Sequence, residues 1–310
     1  MSSIDGGRVA ATLELPPTEE PEGGAVAVST NGWRMAARSF AENRMALVGV
    51  VIIVAIVLFC FVGPVFYHSN QLNANPANAD LPPGNGFPLG TDSNGFDELG
   101  RIMRGGRAAL EVGLFAAVVA TAFGTIYGAL SGLVGGVLDG LLMRIVDVLL
   151  SIPFLFVILI LATKYNASVL SLSLVIGGYS WLVIARLVRG EVLSLRTRDF
   201  VSAGRVMGAS RARLIFRHLI PNALGVVIVN ITFQVADAIL ALAALGFLGF
   251  GLAFPQVDWG DMLAGASTAL ANGYWWEVYP VGICLILVVM AANFIGDALR
   301  DAVDVRLRRR

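Results

Sequence analysis

Few residues of this 310-residue chain are of the kinds that do covalent chemistry, and their spacing excludes most of it. Cys60 and Cys284 each lie inside an uncharged apolar run, where a cysteine serves as a small core residue with no disulfide or metal role. His68 and His218 sit at the ends of different segments and offer no metal-ligand spacing. The only lysine, Lys164, has no glycines before it, so no loop of the Gly-x4-Gly-Lys-Ser/Thr kind exists to cradle nucleotide phosphates. Gly246–Gly251 reads Gly-x-x-Gly-x-Gly within an apolar segment, which is not a dinucleotide fingerprint. No nucleophile-base pair and no paired carboxylates are visible. The chain therefore reads as having no catalytic residue, no metal and no cofactor of its own. A formal net charge of zero gives no reason to expect nucleic acid.

Two places remain. One is Asp237, the single acidic residue deep in an apolar run, with Gln234 one turn away. A carboxylate in such a setting lines a solute path or pairs with a polar neighbour such as Gln234. The other is the stretch 195–222, which carries six of the 22 basic residues between two apolar runs. Taking Asp199 as an N-cap puts Phe200, Ala203, Gly204, Met207 and Gly208 at i, i+3, i+4, i+7 and i+8, one narrow apolar face with a small-residue centre. Ser210 is placed to cap a second short helix with Leu214, Ile215, His218 and Leu219 on its apolar side, and Pro221 to break the pattern. The chemistry this suits is insertion into a groove on a partner. The competing reading is a basic interfacial helix held by anionic lipid.

The elements around these places are those of a membrane protein. The chain is 56% hydrophobic and 14% charged, against about 25% charged in soluble domains. Six spans are predicted, at about 45–67, within 108–138, and at about 141–163, 166–186, 222–246 and 277–297. Arg144 and Asp147, in the first turns of the third, are expected to pair with each other. Residues 1–32 read as a disordered tail and 33–44 as an interfacial helix entering the membrane. Six spans place both termini on one side. That side then holds 18 basic residues, and the other four: Arg101, Arg104, Arg107 and Lys164. The positive-inside rule makes the termini and the 187–221 loop cytoplasmic, with 68–107 and 247–276 external. Trp259, Trp275 and Trp276 in the latter are candidates to touch an external protein or the bilayer interface. In the second span Ala116, Ala120, Gly124, Gly128, Gly132 and Gly136 recur every four residues, a ridge without bulk that admits a close neighbour helix or serves as a sliding surface.

The 195–222 stretch resembles the cytoplasmic loop signature of binding-protein-dependent ABC transporter permeases, Glu-Ala-Ala-x3-Gly-x9-Ile-x-Leu-Pro. Ser202, Ala203 and Gly204 stand at the Glu-Ala-Ala positions and Gly208 at the Gly. His218, Ile220 and Pro221 stand at the Ile, Leu and Pro positions. Ser202 departs from the acidic residue and Gly204 from the second Ala. Pro88–Asp92 followed by Asp97–Arg101, Ala244–Gly251 followed by Trp259–Leu263, and Asn293–Asp301 resemble further segments of the dipeptide/oligopeptide branch, closest to the C permease subunit of dipeptide transporters. The likeness runs from about residue 33 to the end.

The resemblance implies an all-α type I ABC importer permease fold with six transmembrane helices. It implies coupling helices between spans four and five, an interfacial helix with the first transmembrane helix (33–67), an external loop (68–107) and a permease core of five transmembrane helices (108–310) containing the coupling loop 195–222. It implies a subunit of a bacterial plasma-membrane importer forming half of a path for di- or oligopeptides. The partners implied are a second homologous permease, two ATPase subunits or one fused, which bind ATP-Mg, an external solute-binding protein and the bilayer. Cargo of the nickel-chelate or heme-like kind stays open. An ion-coupled secondary transporter is the competing class. It would want several intramembrane ionisable residues and often an inverted repeat.

Overall fold

The computed structural model describes residues 32–308, Asn85 and Asn166 excepted. Of the tail expected at 1–32, residues 1–31 lie outside the described residues and Gly32 begins the first helix. Everything regular is helical. The chain enters through α1 (Gly32–Glu42) and α2 (Arg44–Phe61), the latter capped by Asn43, whose side chain accepts from the amides of Met45 and Ala46 at 2.9 and 3.2 Å. A short α3 (Gly63–Phe66) completes the first span.

After an irregular segment, α4 (Glu98–Val134) begins ten residues before the expected apolar stretch. The carboxylate of Asp97 caps it by accepting from the amide of Gly100 at 3.0 Å. Gly135, at φ 67°, ends it.

Span three differs from the expected single helix. It is two helices, α5 (Gly136–Leu150) and α6 (Phe154–Ala162), bent by 79° across Ser151–Ile152–Pro153. The cause is local. Pro153 has no amide hydrogen to donate to Leu149, and it biases Ile152 away from helical geometry. Ser151 spends its hydroxyl on the carbonyl of Val148, at 2.6 Å.

α7 (Val169–Leu195) starts at a reciprocal Ser168/Ser171 cap and runs nine residues past the expected end of span four. α8 (Asp199–Val206) and α9 (Arg211–Arg213) form the expected hairpin. α9 passes through a wide-turned π stretch, Leu214–Leu219, straight into α10 (Ile220–Phe247). Pro221 therefore does not break the chain's course, contrary to the sequence expectation. The proline leaves the carbonyl of Arg217 without its usual donor, and the turn before it widens so that the amide of Ile220 reaches the carbonyl of Ile215. α11 (Trp259–Leu263) and α12 (Ala266–Ala271) follow α10 at the end of the bundle away from the hairpin, and α13 (Tyr279–Arg308) forms the last span.

Among the described residues five helices are long and apolar enough to cross a membrane, and the bent pair α5/α6 makes six if it is one broken span. The chain is a multi-pass membrane protein. α4 and α7 form its most extensive pair, α10 packs on both, and α13 packs on α2 and α10. One apolar core gathers around Ile102, Val112, Leu172, Ile176 and Trp259. A second joins α4, α7 and α10 to the hairpin.

The ridge of small residues is the reason α4 and α7 lie so close. A Cβ on Gly128 would stand 2.4 Å from the backbone oxygen of Ala185, and one on Gly124 2.7 Å from that of Trp181. Gly132 faces Val192 in the same way, at 2.9 Å. Gly136 is not part of this ridge. It lies beyond the end of α4, at φ 62°, with open space around its Cβ direction.

Candidate functional site

The hairpin 199–219 keeps most of the outward face expected for it, with Gly204 turned inward. Arg198 rather than Asp199 is the N-cap of α8, and it makes no side-chain cap. Asp199 is the first helical residue, where its charge favours the positive end of the helix. Val201, wholly buried, and Gly204 turn inward, and a Cβ on Gly204 would touch Leu214 at 3.1 Å. Phe200, Ala203 and Met207 turn outward, joined by Val206. Phe200 is 38% exposed, Met207 79% and Val206 89%. Three large apolar side chains on eight residues of an exposed helix form a patch that water disfavours. Val201 and Val206 escaped the sequence reading because the i, i+3, i+4 rule was centred one residue away.

Gly208 is not a notch in that face. It stands at φ 77°, with its amide on the carbonyl of Arg205 and that of Ala209 on Gly204, both at 3.0 Å. This is the two-bond motif that ends a helix and demands a left-handed residue. Ser210 caps α9 as expected, accepting from the amide of Arg213 at 3.3 Å. Ser202 is exposed and Pro221 faces outward, while Ile215 is buried and His218 half-buried. Asn222 donates to the carbonyl of His218 at 2.6 Å. Val201, Leu214, Ile215 and Leu219 share a core with Ala129 and Leu133 of α4, Val188 and Val192 of α7 and Val227 of α10. The hairpin is thus rooted in three spans and greasy on its free side.

Charge pairing fixes the neighbouring turn. The guanidinium of Arg189 grips the carboxylate of Asp139 through Nε at 2.6 Å and Nη2 at 2.7 Å. Arg196 donates to the carbonyl of Gly132 at 3.1 Å. Asp147 pairs with Arg186 of α7, not with Arg144 as its spacing suggested. A partner 39 positions away wins because α7 lies against α5, although Arg144 shares a helix face with Asp147.

Asp237 and Gln234 line a common cavity of about 510 Å³ with the Ser151–Pro153 break and Tyr179 and Ser180 of α7. The two do not hydrogen-bond to each other: Gln234 is buried and Asp237 exposed into the cavity side. The Tyr179 hydroxyl lies 2.7 Å from the carbonyls of both Leu149 and Ile152, pinning the break.

On the opposite side the segments 67–97 and 248–276 close into one cap. Asp258, fully buried, accepts from the amides of Leu252, Gly260 and Asp261 at 2.9, 2.9 and 3.0 Å. A Cβ on Gly246 or Gly251 would lie 2.0 or 2.2 Å from its carboxylate oxygens, which explains the glycine-rich run. Arg101 joins Asp92 and Asp261 at 3.2 and 3.5 Å. Burial, then the nearby carboxylate of Asp97, pushes the Tyr67 phenol up to about 12. Trp259 and Trp276 are buried, their indole N–H groups on the carbonyls of Ile102 and Thr91 at 3.0 and 3.2 Å. Of the three tryptophans, only Trp275 presents a free face. No group of three or more metal-ligating side chains occurs among the described residues.

The comparisons with known proteins agree with this geometry. The family described as binding-protein-dependent transport system inner membrane component matches residues 124–309. The N-terminal TM domain of oligopeptide transport permease C matches residues 32–83. The oligopeptide transport system permease protein OppC of Escherichia coli K12 is 39% identical over 280 residues, covering 89% of this chain and 92% of that protein. The dipeptide transport system permease protein DppC of Alkalihalophilus pseudofirmus is 36% identical over 293 residues, covering 94% and 95%. OppC of Bacillus subtilis is 35% identical over 277 residues, covering 89% and 90%.

Proposed function

Because the chain belongs to the family of binding-protein-dependent transport system inner membrane components, we propose that it is the C-type permease subunit of an ATP-driven importer of di- or oligopeptides. Its role is transport and not catalysis. The relatives named above belong to both oligopeptide and dipeptide systems, and the dipeptide branch is the finer reading of the cytoplasmic and external motifs. The observation that carries the mechanism is the hairpin, apolar outside at Phe200, Val206 and Met207 and rooted in α4, α7 and α10 by Val201, Leu214, Ile215 and Leu219.

On this reading ATP-Mg closes a pair of ATPase domains in the cytosol, a groove on one of them holds the exposed patch, and the hairpin carries its displacement into three spans. A second homologous permease completes the path. An external binding protein delivers cargo onto the cap formed by 67–97 and 248–276. Both termini lie in the cytosol of a bacterial cell.

The test is isolation of the tagged chain from its native membrane. A second permease and two ATPase subunits, or one fused, are expected to accompany it. Peptide uptake is expected to stop when ATP is depleted and to survive an ionophore. Uptake that collapses with the ionophore while ATP is intact transfers the chain to the ion-coupled class.

A further inference from the structure

We infer that Asp237 is a recognition station in the translocation path, taking the α-ammonium group of a passing peptide. This rests on the permease reading above and deepens it. Asp237 lies ten residues before the end of α10, about 15 Å at the helical rise, so it is near the middle of a ~30 Å hydrocarbon layer. It is exposed in the chain, and among the described residues no basic side chain pairs with it. A carboxylate is not left facing lipid at that depth, so this side of α10 looks onto water or protein.

The break in span three lies in the same cavity. Interrupted helix at membrane depth is tolerated only where it is covered by protein or lines an aqueous space. Two independent features therefore mark this cavity as a place lipid does not reach.

Its chemistry selects a cation. No Lys, Arg or His lines it, and the nearest arginines of α7 are committed, Arg186 to Asp147 and Arg189 to Asp139. The Asp237 carboxylate shares the lining with two uncharged acceptors, the Gln234 amide oxygen and the Ser180 hydroxyl. An organic ammonium presents three N–H donors and one positive charge, which one carboxylate and two neutral acceptors satisfy. A metal ion wants more ligands of its own than this lining offers, and the described residues contain no such cluster. A cavity of about 510 Å³ admits the residue that carries the ammonium as well as the charge itself.

The experiment uses the complete transporter in proteoliposomes with its binding protein and ATP. The first readout is uptake of tri-alanine. Asp237→Asn is expected to lower the maximal rate by roughly tenfold or more with unchanged subunit co-purification, and Asp237→Glu to retain most of it. The second readout does not depend on cargo. With Cys60→Ala and Cys284→Ala as background, Ser180→Cys is treated with a cationic (aminoethyl) or an anionic (sulfonatoethyl) methanethiosulfonate. The cationic reagent is expected to be favoured by roughly tenfold over its preference for a free thiol, and Asp237→Asn to abolish that excess.

Full tri-alanine transport by Asp237→Asn overturns the proposal. So does an unchanged reagent preference, or no reaction with either reagent, which means a dry cavity. Loss of assembly in Asp237→Asn, restored by neutralising a basic residue of the second permease, makes Asp237 a subunit-pairing residue and also overturns it. If the parent transporter carries no peptide yet Ser180→Cys shows the Asp237-dependent preference, the cation station stands and the peptide reading falls.

Discussion

Replacing Gly128 by alanine separates packing from propensity on one helix pair. In the interior of α4 the exchange alone favours the helix by up to about 1 kcal/mol. The structure opposes it. The new Cβ would sit 2.4 Å from the oxygen of Ala185 and 3.0 Å from the amide nitrogen of Arg189, both backbone atoms that no rotamer can move. Relief requires α7 to retreat by about 1 Å toward an ordinary ~3.5 Å contact, and a gap of that size forfeits a quarter to a half of each pairwise attraction it opens. Gly124 and Gly132 share the seam, so their contacts open too. Overpacking costs about 1–3 kcal/mol, and two backbone atoms that cannot turn aside put this site at the upper end, so the net is a loss of about 2 kcal/mol. Gly190→Ala is the matched control: it lies on α7, helical and exposed, with nothing within 4 Å of its Cβ direction. It is expected to stabilise by up to about 1 kcal/mol. The assay is the thermal unfolding midpoint of the purified protein in one detergent. Opposite shifts are expected. A Gly128→Ala protein as stable as its parent would refute the rigid seam and favour a sliding surface.

Three further outcomes are expected. Met207→Asp, at a position 79% exposed, should leave the unfolding midpoint within about 0.5 kcal/mol of its parent, yet release the ATPase subunits on purification, whereas Val201→Ala should lower stability by about 2 kcal/mol with the ATPases retained on the folded fraction. Arg189→Lys cannot make both bonds to Asp139 and should destabilise the α4–α5 turn by about 1 kcal/mol, read as faster amide exchange in 135–140. Asp258→Asn turns an NH2 toward an amide that now donates to oxygen, costing about 1–3 kcal/mol and speeding exchange at Leu252 before any change in the spans.

What the sequence made legible was whatever depends on composition and local period. Five long apolar helices, the hairpin between α7 and α10, the cap at Ser210 and the close-packing ridge at Gly124, Gly128 and Gly132 all have signals within a few residues. What it hid depends on distant partners. The break at Ser151–Pro153 sits inside an unbroken apolar run, and hydropathy does not distinguish a straight span from a bent one. Asp147 was assigned to Arg144 because helix spacing is visible and the approach of Arg186 is not. Gly204 was placed on the outward face of α8 because Leu214, which fills the space over it, belongs to a different element. The buried role of Trp259 is set by a carbonyl 157 positions away.

The same helical course ties the two parts of the proposed mechanism together. From Arg211 the chain runs helically without interruption to Phe247, so the hairpin's second arm and the cavity carboxylate belong to one rod. Asp237 lies 23 residues beyond Leu214, about 35 Å at the helical rise. A rod transmits a push at one end without intermediate contacts having to rearrange, except where its turns are irregular. Its irregular section is Leu214–Leu219, ahead of Pro221 and at the level where the hairpin is rooted in α4 and α7. Wide turns interchange with regular ones at low cost and rotate everything beyond them. Tightening this section by one residue would turn the α10 face carrying Asp237 by about 100° relative to the hairpin. Replacing Pro221 by alanine supplies the missing amide and favours the tighter form. If the section is the transmission joint, that variant should keep its ATPases and hydrolyse ATP without importing peptide. If it imports normally, the π turns only accommodate the proline, and motion reaches the cavity through α4 and α7 instead.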